Sequence, residues 1–388
     1  MKDVLSAMNR EIKTPYYLCD SSLLKRNLLI MNQIEQRAGC TVLFSMKSFN
    51  AIGVLSEIFD GRVSGYSTGS SFEFRSVDEL RLKHSPLLSI YKPAFTEAEI
   101  LEYSTKADFL VFNSVGQLKA LQWVKERHDI EPRAKIGVRV NPEISIVEKD
   151  LYNPCRTNSH LGIKITELGA LEGRYSGILI HNMCQSRDAN EFSTNLDLIE
   201  QKLDTVLTAG NLTWINFGGG SLFTAPGYDL DRVIDRLKAF RAKYGLEVYL
   251  EPSEAWVLDA GYLVAGVLDI TGSENKSAIL DISVPAHIPD VLEIPYTPRV
   301  VNGRVAAVSK VSYTLCGLSC MSGDVVGTYE FDTGLRIGSK IAFEDMLPYS
   351  MVKSSFFNGV AKPDIYLWCS GSEIKNIKTY AFEDYVNA

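Results

Sequence analysis

No apolar run in the 388-residue chain reaches membrane-spanning length; the best candidate, 255–268, is interrupted by Asp259. Basic runs are missing as well. With 40 basic against 47 acidic residues and a net charge of −7, binding to a nucleic-acid backbone is disfavoured. Cysteines are few, odd in number at seven, and never arranged as CxxC. Reduced thiols in a cytoplasmic protein are the simplest account. Neither an HExxH sequence nor paired Cys/His spacing is present, so no metal centre is expected. The first residues, Met1-Lys2-Asp3-Val4-Leu5-Ser6, run into charge rather than an apolar stretch and predict no secretory leader.

What the chain does have is a core. A content of 46% hydrophobic and 22% charged residues is that of a globular protein, and the length exceeds one ordinary domain. Eight short apolar runs recur at 41–47, 62–68, 87–92, 109–114, 135–141, 177–183, 213–220 and 247–253, with helical or polar stretches between them. Asp20 or Ser21 offers a cap for a helix with apolar positions at Leu24, Leu28, Met31 and Ile34. Leu230, Val233, Ile234, Leu237 and Phe240 mark another, closed by Gly245. Strands alternating with helices in this way predict a (β/α)8 TIM barrel, with a doubly wound open sheet as the competing architecture. Lys47, His181, Gly218-Gly219-Gly220 and Glu251 all fall at the C-terminal ends of their strands, the face where barrels place chemistry. An open sheet more often has its glycine-rich turn after the first strand, and none is there. Beyond Trp256 the texture changes to short strands at 262–271, 277–284, 299–301, 305–315, 340–343 and 365–368, with turns such as Asn302-Gly303 between them. This predicts an all-β second domain.

The organising stretch is Thr41-Val42-Leu43-Phe44-Ser45-Met46-Lys47-Ser48. A strand of this composition is buried on both faces, so its terminal lysine stands where apolar packing meets an open mouth. Partial loss of hydration there lowers the pKa of Lys47 and frees its amine as a nucleophile. Taken alone, such a lysine more often snorkels to water. Gly218-Gly219-Gly220 lets backbone N–H groups approach a phosphate, although a plain tight turn is as common. Glu251 could pair with a protonated ring nitrogen or be an ordinary strand-end acid. His181, one of five histidines, could stack on a planar ligand, whereas a satisfied buried histidine is the commoner fate. Cys320 lies in Cys316-Gly317-Leu318-Ser319-Cys320-Met321-Ser322-Gly323-Asp324, where a thiol and a carboxylate could move protons; a structural cysteine is the alternative. An amine, a phosphate cradle, a stacking ring and a carboxylate together fit one ligand, pyridoxal phosphate.

Over nearly its whole length the chain resembles the carboxynorspermidine/carboxyspermidine decarboxylase family, among the fold-type III pyridoxal-phosphate decarboxylases (alanine racemase/ornithine decarboxylase-like). The likeness begins in Lys13-Thr14-Pro15-Tyr16-Tyr17, Phe44–Phe49, His181-Asn182-Met183-Cys184 and Phe217–Gly220 with Pro226-Gly227-Tyr228-Asp229. It continues in Glu251-Pro252-Ser253-Glu254-Ala255, Ala286-His287-Ile288-Pro289-Asp290, Cys320–Asp324, Tyr349–Lys353 and Phe357-Asn358-Gly359. The resemblance implies a cofactor-binding barrel at 20–255, a β-domain at 256–388, an N-terminal segment 1–19 packing with that β-domain, and a homodimer with shared sites. By motif position Lys47 carries the cofactor, His181 stacks on it, Glu251 pairs with its ring nitrogen and Gly218, Gly219 and Gly220 hold phosphate. Glu254, Asp290, Asp324, His287 and Gln185 are implied to contact substrate. Cys320, Asp324 and the cofactor contact Tyr349 are presented around the neighbour's cofactor.

The activity so implied is α-decarboxylation of carboxynorspermidine or carboxyspermidine, with Lys47 or Cys320 returning a proton to Cα. Acids such as Glu254 and Asp290 suit ammonium groups. A sibling decarboxylase of another basic or specialised amino acid is the nearest rival, ahead of a racemase and a non-catalytic cofactor-carrying barrel. A nucleotide-binding dehydrogenase would explain the glycines but not Lys47. Three positions depart from the family's pattern: His160 stands for Arg, Gln185 for Glu and Ser253 for Gly. These changes bear on substrate choice more than on the cofactor.

Overall fold

The computed structural model describes residues 2–8, 10–145, 147, 153–156, 158–171, 173–370 and 373–388. The chain forms two compact units. The first comprises Met1–Arg26, Ser48–Ile58 and Val257–Ala388; the second comprises Asn27–Lys47 and Phe59–Trp256.

The second unit is a closed ring of parallel strands. Its strands after the first are Gly65–Thr68, Leu87–Tyr91, Phe109–Phe112, Lys135–Asn141, Gly177–Leu179, Trp214–Asn216 and Glu247–Leu250. The first strand is written in two pieces that close the ring. Thr41–Val42 pairs with Glu247–Leu250, and Phe44–Ser45 pairs with Gly65–Thr68. Between them Leu43 N–H donates to the Leu250 carbonyl at 2.8 Å, so 41–45 acts as one strand with a neighbour on each side. Each of the apolar runs predicted for the barrel contains its strand, and the fold is the (β/α)8 barrel. Leu43, Phe109, Val111, Leu179, Trp214 and Tyr249 pack as one cluster, with the Phe109 ring edge-on to Trp214 at 5.1 Å and to Tyr249 at 4.8 Å. A Cβ at Gly137 or Gly177 would collide with the Trp214 indole, so the bare backbone of two adjacent strands makes room for that ring.

Two helices follow their sequence signals closely. Asp20 Oδ1 accepts from Ser22 N–H at 2.8 Å and Leu23 N–H at 3.2 Å, starting the helix Ser21–Ala38. Asp229 caps Leu230–Tyr244, and Gly245, at φ 69°, closes it by donating to the Arg241 carbonyl. No helix among the described residues is long and apolar enough to cross a membrane.

In the first unit a mixed sheet runs in the order Gly303–Val305, Val325–Phe331, Tyr313–Cys316, Lys276–Leu280, Gly261–Thr271, Tyr16–Asp20, Asp364–Ser370, Glu373–Lys378, with Lys340–Glu344 also on Gly261–Thr271. Tyr16, Leu18, Val264 and Ala342 form its core with Val4, Ala7 and Met8 of the helix Lys2–Met8. The strand predicted at 305–315 is in fact two. Ser309 N–H donates to Ser312 Oγ at 2.7 Å and Ser312 N–H to the Ser309 carbonyl at 3.3 Å, turning the chain while Val308 and Val311 stay exposed. The strand expected at 277–284 stops at Leu280, because the short helix Val284–His287 takes over. At 299–301 there is only a bridge between Val300 and Phe343. Glu373–Lys378 went unpredicted, since its mostly exposed polar residues carry no apolar alternation.

Candidate active site

The first barrel strand ends at Ser45, whose N–H donates to the Pro252 carbonyl at 3.3 Å. Lys47 follows in the 3-10 turn Met46–Ser48. Its side chain keeps solvent access, yet the surrounding protein strips much of the hydration from its amine. Loss of hydration lowers its pKa, the Arg139 charge lowers it further, and the carboxylate of Glu251 chiefly opposes both. The amine is therefore biased toward its uncharged, nucleophilic form.

The glycine turn is held by the other two residues the sequence singled out. Gly219 N–H donates to His181 Nδ1 at 3.1 Å, and Glu251 N–H donates to the Gly218 carbonyl at 2.7 Å. A Cβ on Gly218 would lie 2.7 Å from His181 Nδ1, one on Gly219 would collide with the Glu251 carbonyl, and one on Gly220 with the Met183 carbonyl. With Nδ1 accepting, the neutral imidazole carries its proton on Nε2. His181 stays neutral: burial drives its pKa well below the ordinary value, and the Lys47 and Arg139 charges add to the effect. Asn216 Nδ2 donates to Glu251 Oε1 at 2.7 Å, and Asn216 Oδ1 accepts from Gly218 N–H at 2.8 Å, tying carboxylate and turn together. Burial raises the Glu251 pKa against the bonds from Asn216 and Ser67 and the charges of Lys47 and Arg139.

Sequence reasoning missed Arg139. It is 5% exposed, and its Nη2 has no hydrogen-bond partner among the described residues. The guanidinium sits 4.8 Å from the centre of the Tyr91 ring. One N–H donor of this buried guanidinium is thus open to an oxygen acceptor, because a buried donor left without a partner is costly. The signal was an arginine inside the apolar run Lys135–Asn141.

Beyond His181 the chain is held by a reciprocal amide pair, Asn182 to Asn195 at 2.6 Å and Asn195 to Asn182 at 3.0 Å. Gln185, at φ 50°, turns the chain, and its Nε2 donates to Glu254 Oε2 at 3.4 Å. Burial and the Glu254 charge raise the Cys184 thiol pKa, with the Lys47 charge opposing. Ser253 is buried, whereas His160 is exposed and contributes its carbonyl to Asn113 Nδ2 at 2.9 Å.

The remaining expected site residues lie in the first unit. Cys320 is exposed, with Asn358 Nδ2 of the Phe357-Asn358-Gly359 motif 4.0 Å from its sulfur. Asp324 and His287 are buried. Asp290 accepts from Lys353 Nζ at 2.5 Å, and the same ammonium reaches Glu293 at 2.6 Å. Tyr349 takes the uncommon backbone angles φ 61°, ψ −46°, and its N–H donates to the carbonyl of Ser48 at 2.9 Å.

The barrel residues fit pyridoxal phosphate: a desolvated amine, a glycine turn whose Cβ positions are already filled, an open guanidinium donor and a buried carboxyl held by Asn216. Comparison with known proteins agrees. Residues 16–346 match the family described as pyridoxal-dependent decarboxylase, C-terminal sheet domain. The chain is 34% identical to the carboxynorspermidine/carboxyspermidine decarboxylase of Campylobacter jejuni, over 97% of this chain and 98% of that one. It is also 34% identical to the carboxyaminopropylagmatine decarboxylase of Synechocystis, over 97% and 95%. The crystal structure of the Campylobacter jejuni carboxynorspermidine decarboxylase complexed with norspermidine superposes with a TM-score of 0.86 at 32% identity, covering 96% of this chain and 99% of that one. With fold, site chemistry and near-full-length similarity in agreement, this chain belongs to the pyridoxal-dependent decarboxylases, in the carboxynorspermidine decarboxylase family.

Proposed function

We propose that the chain decarboxylates a carboxylated polyamine, carboxynorspermidine or carboxyspermidine, at the site around Lys47. The observation that carries this reading is the single cluster of Lys47, Arg139, His181, the glycine turn and Glu251, cross-bonded through Asn216. When bound, pyridoxal phosphate supplies an aldehyde that condenses with amines and a ring that accepts the electrons left by departing CO2. Lys47 binds the cofactor and, as a group of lowered basicity, gives up its proton more readily than an ordinary lysine. Glu251, held by Asn216 and Ser67, keeps a proton on the ring nitrogen. Arg139 neutralises an anionic oxygen, and Gly218, Gly219 and Gly220 admit the phosphate. Neutral His181 supplies a planar surface for the ring. Glu254 offers its carboxylate to a substrate ammonium. Tyr349 serves as a further cofactor contact, and Cys320 supplies a thiol to the neighbouring chain's site in a homodimer.

One observation favours a second reading, a sibling decarboxylase with a different tail on its substrate. Gln185 replaces an acid and donates to Glu254, so this end of the site holds less negative charge for a polyamine. The same experiment separates the two readings. Purified protein loaded with cofactor is given carboxynorspermidine, carboxyspermidine, carboxyaminopropylagmatine, ornithine and diaminopimelate, and CO2 release is measured. The first reading expects the two carboxylated spermidines to be turned over at least about ten-fold more efficiently than the rest, a preference of about 1.4 kcal/mol. Preference for any other substrate selects the second reading, and no release from the whole panel defeats both.

A further inference from the structure

Asp324 carries a carboxylate in the loop that holds Cys320, and as the residue of that motif with a negative charge it invites assignment to the substrate's ammonium groups. Its surroundings point elsewhere. The residue is 3% exposed. Oδ1 accepts from Val284 N–H at 2.7 Å, and Oδ2 accepts from Ser319 N–H at 3.0 Å and from Ser319 Oγ at 2.5 Å. Its main chain is equally engaged: the carbonyl accepts from Gly317 N–H at 2.8 Å, and the N–H donates to the Met321 carbonyl at 3.0 Å. Gly317 presses directly on the carboxylate, so that a Cβ there would collide with it. Leu318 N–H donates to the Ile282 carbonyl at 2.8 Å, fastening the other side of the loop. Polar groups thus converge inward on Asp324, while Leu318, Cys320 and Met321 face outward and are exposed.

We infer that Asp324 is the internal latch of the 316–325 loop, a positioning residue that sets the place of the Cys320 thiol and does not bind substrate. An ionised carboxylate is needed because three donors converge on it. An amide has a single acceptor oxygen, and its NH2 would face at least one of the N–H groups and leave it unsatisfied. Glycine at 317 is needed for an independent reason, since any side chain there would push the carboxylate out of its place. The inference rests on the proposed role of Cys320 only for its effect on turnover; the effect on the loop stands by itself.

Three variants, Asp324→Asn, Gly317→Ala and Ser319→Ala, test it as cofactor-loaded enzymes. Two quantities are read: kcat and KM on the best substrate of the panel, and the rate at which N-ethylmaleimide labels Cys320, followed by peptide mass mapping. The first two variants should lower kcat about ten-fold or more, the scale of losing a buried bond to a charged group, with KM nearly unchanged. Both should speed labelling of Cys320 by about three-fold or more, and Ser319→Ala, which removes one donor, should move both quantities the same way by less. A substrate ligand would behave otherwise: Asp324→Asn would raise KM, Gly317→Ala would be silent, and labelling would not change. That result overturns the inference. Should Asp324→Asn and Gly317→Ala fail to fold, an unchanged labelling rate in Ser319→Ala overturns it equally. If the wild type decarboxylates nothing in the panel, the proposed function fails while the labelling rates still judge the latch.

Discussion

At the scale of single residues, Glu251 and His287 show how burial decides protonation. Glu251 sits beside Asn216, Ser67, Lys47 and Arg139, which favour its charged form, yet desolvation raises its pKa. Glu251→Gln keeps the size and the Asn216 contact but cannot hold a ring nitrogen protonated. The variant should retain cofactor, seen as retained visible absorbance, and lose roughly a hundred-fold in kcat, the scale of a lost charge-stabilising group. Near-normal turnover would remove Glu251 from the role. His287 is fully buried, and its Nδ1 accepts from Ser283 N–H at 3.2 Å. Desolvation pulls its pKa down to about 4, with the Asp324 charge opposing. The unfolded chain therefore takes up this proton first as pH falls below the ordinary histidine value, and the fold loses stability from there down to about 4. The loss should total about 3 kcal/mol, and His287→Asn, which can still accept from Ser283, should abolish that part of the pH dependence. Urea midpoints at neutral pH and near pH 4 measure it; equal slopes for both proteins would mean that other groups are responsible.

Among the elements, the turn 218–220 is where strand ends become a site. It follows Trp214–Asn216 and bonds to the ends of two flanking strands, through His181 on one side and Glu251 on the other. A methyl group at 219 would strike the Glu251 carbonyl and lie 3.3 Å from Pro252 Cα. Gly219→Ala should therefore displace the backbone next to Glu251, costing about 1–3 kcal/mol and most of the cofactor occupancy. Gly169→Ala is the matched control, since a Cβ there meets nothing within 4 Å. Thermal unfolding with and without cofactor distinguishes the two, and a Gly219→Ala protein that bound cofactor like the control would show the turn to be incidental.

On the scale of the whole molecule, Lys47 lies in the second unit and Cys320 in the first, separated by most of the chain. Under the proposed homodimer each site takes Lys47 from one chain and Cys320 from the other. Lys47→Ala and Cys320→Ala should each be crippled as pure proteins. Mixed in equal amounts and allowed to exchange subunits, half of the dimers carry one intact site, so activity should return to roughly a quarter of wild type by two-fold symmetry. No recovery, with exchange confirmed by mass spectrometry, would place both residues in one chain's site. Much of the barrel was legible in the sequence because each strand, buried on both faces, writes its own apolar run, and because Lys47, His181, the glycines and Glu251 stand at the ends of those runs. Local composition is enough for that. The β-unit was read less well, since half-exposed strands such as Glu373–Lys378 bury too little to leave a pattern, and a serine turn can divide an apolar run in two. Partnership was beyond the sequence altogether. Whether an acid meets a ligand, a lysine or a neighbouring N–H depends on residues far along the chain: Asp324 meets Val284 across 40 positions and Asp290 meets Lys353 across 63. Arg139 reads as an ordinary arginine until folding buries it, because the cost of an open guanidinium donor exists only once water has been removed.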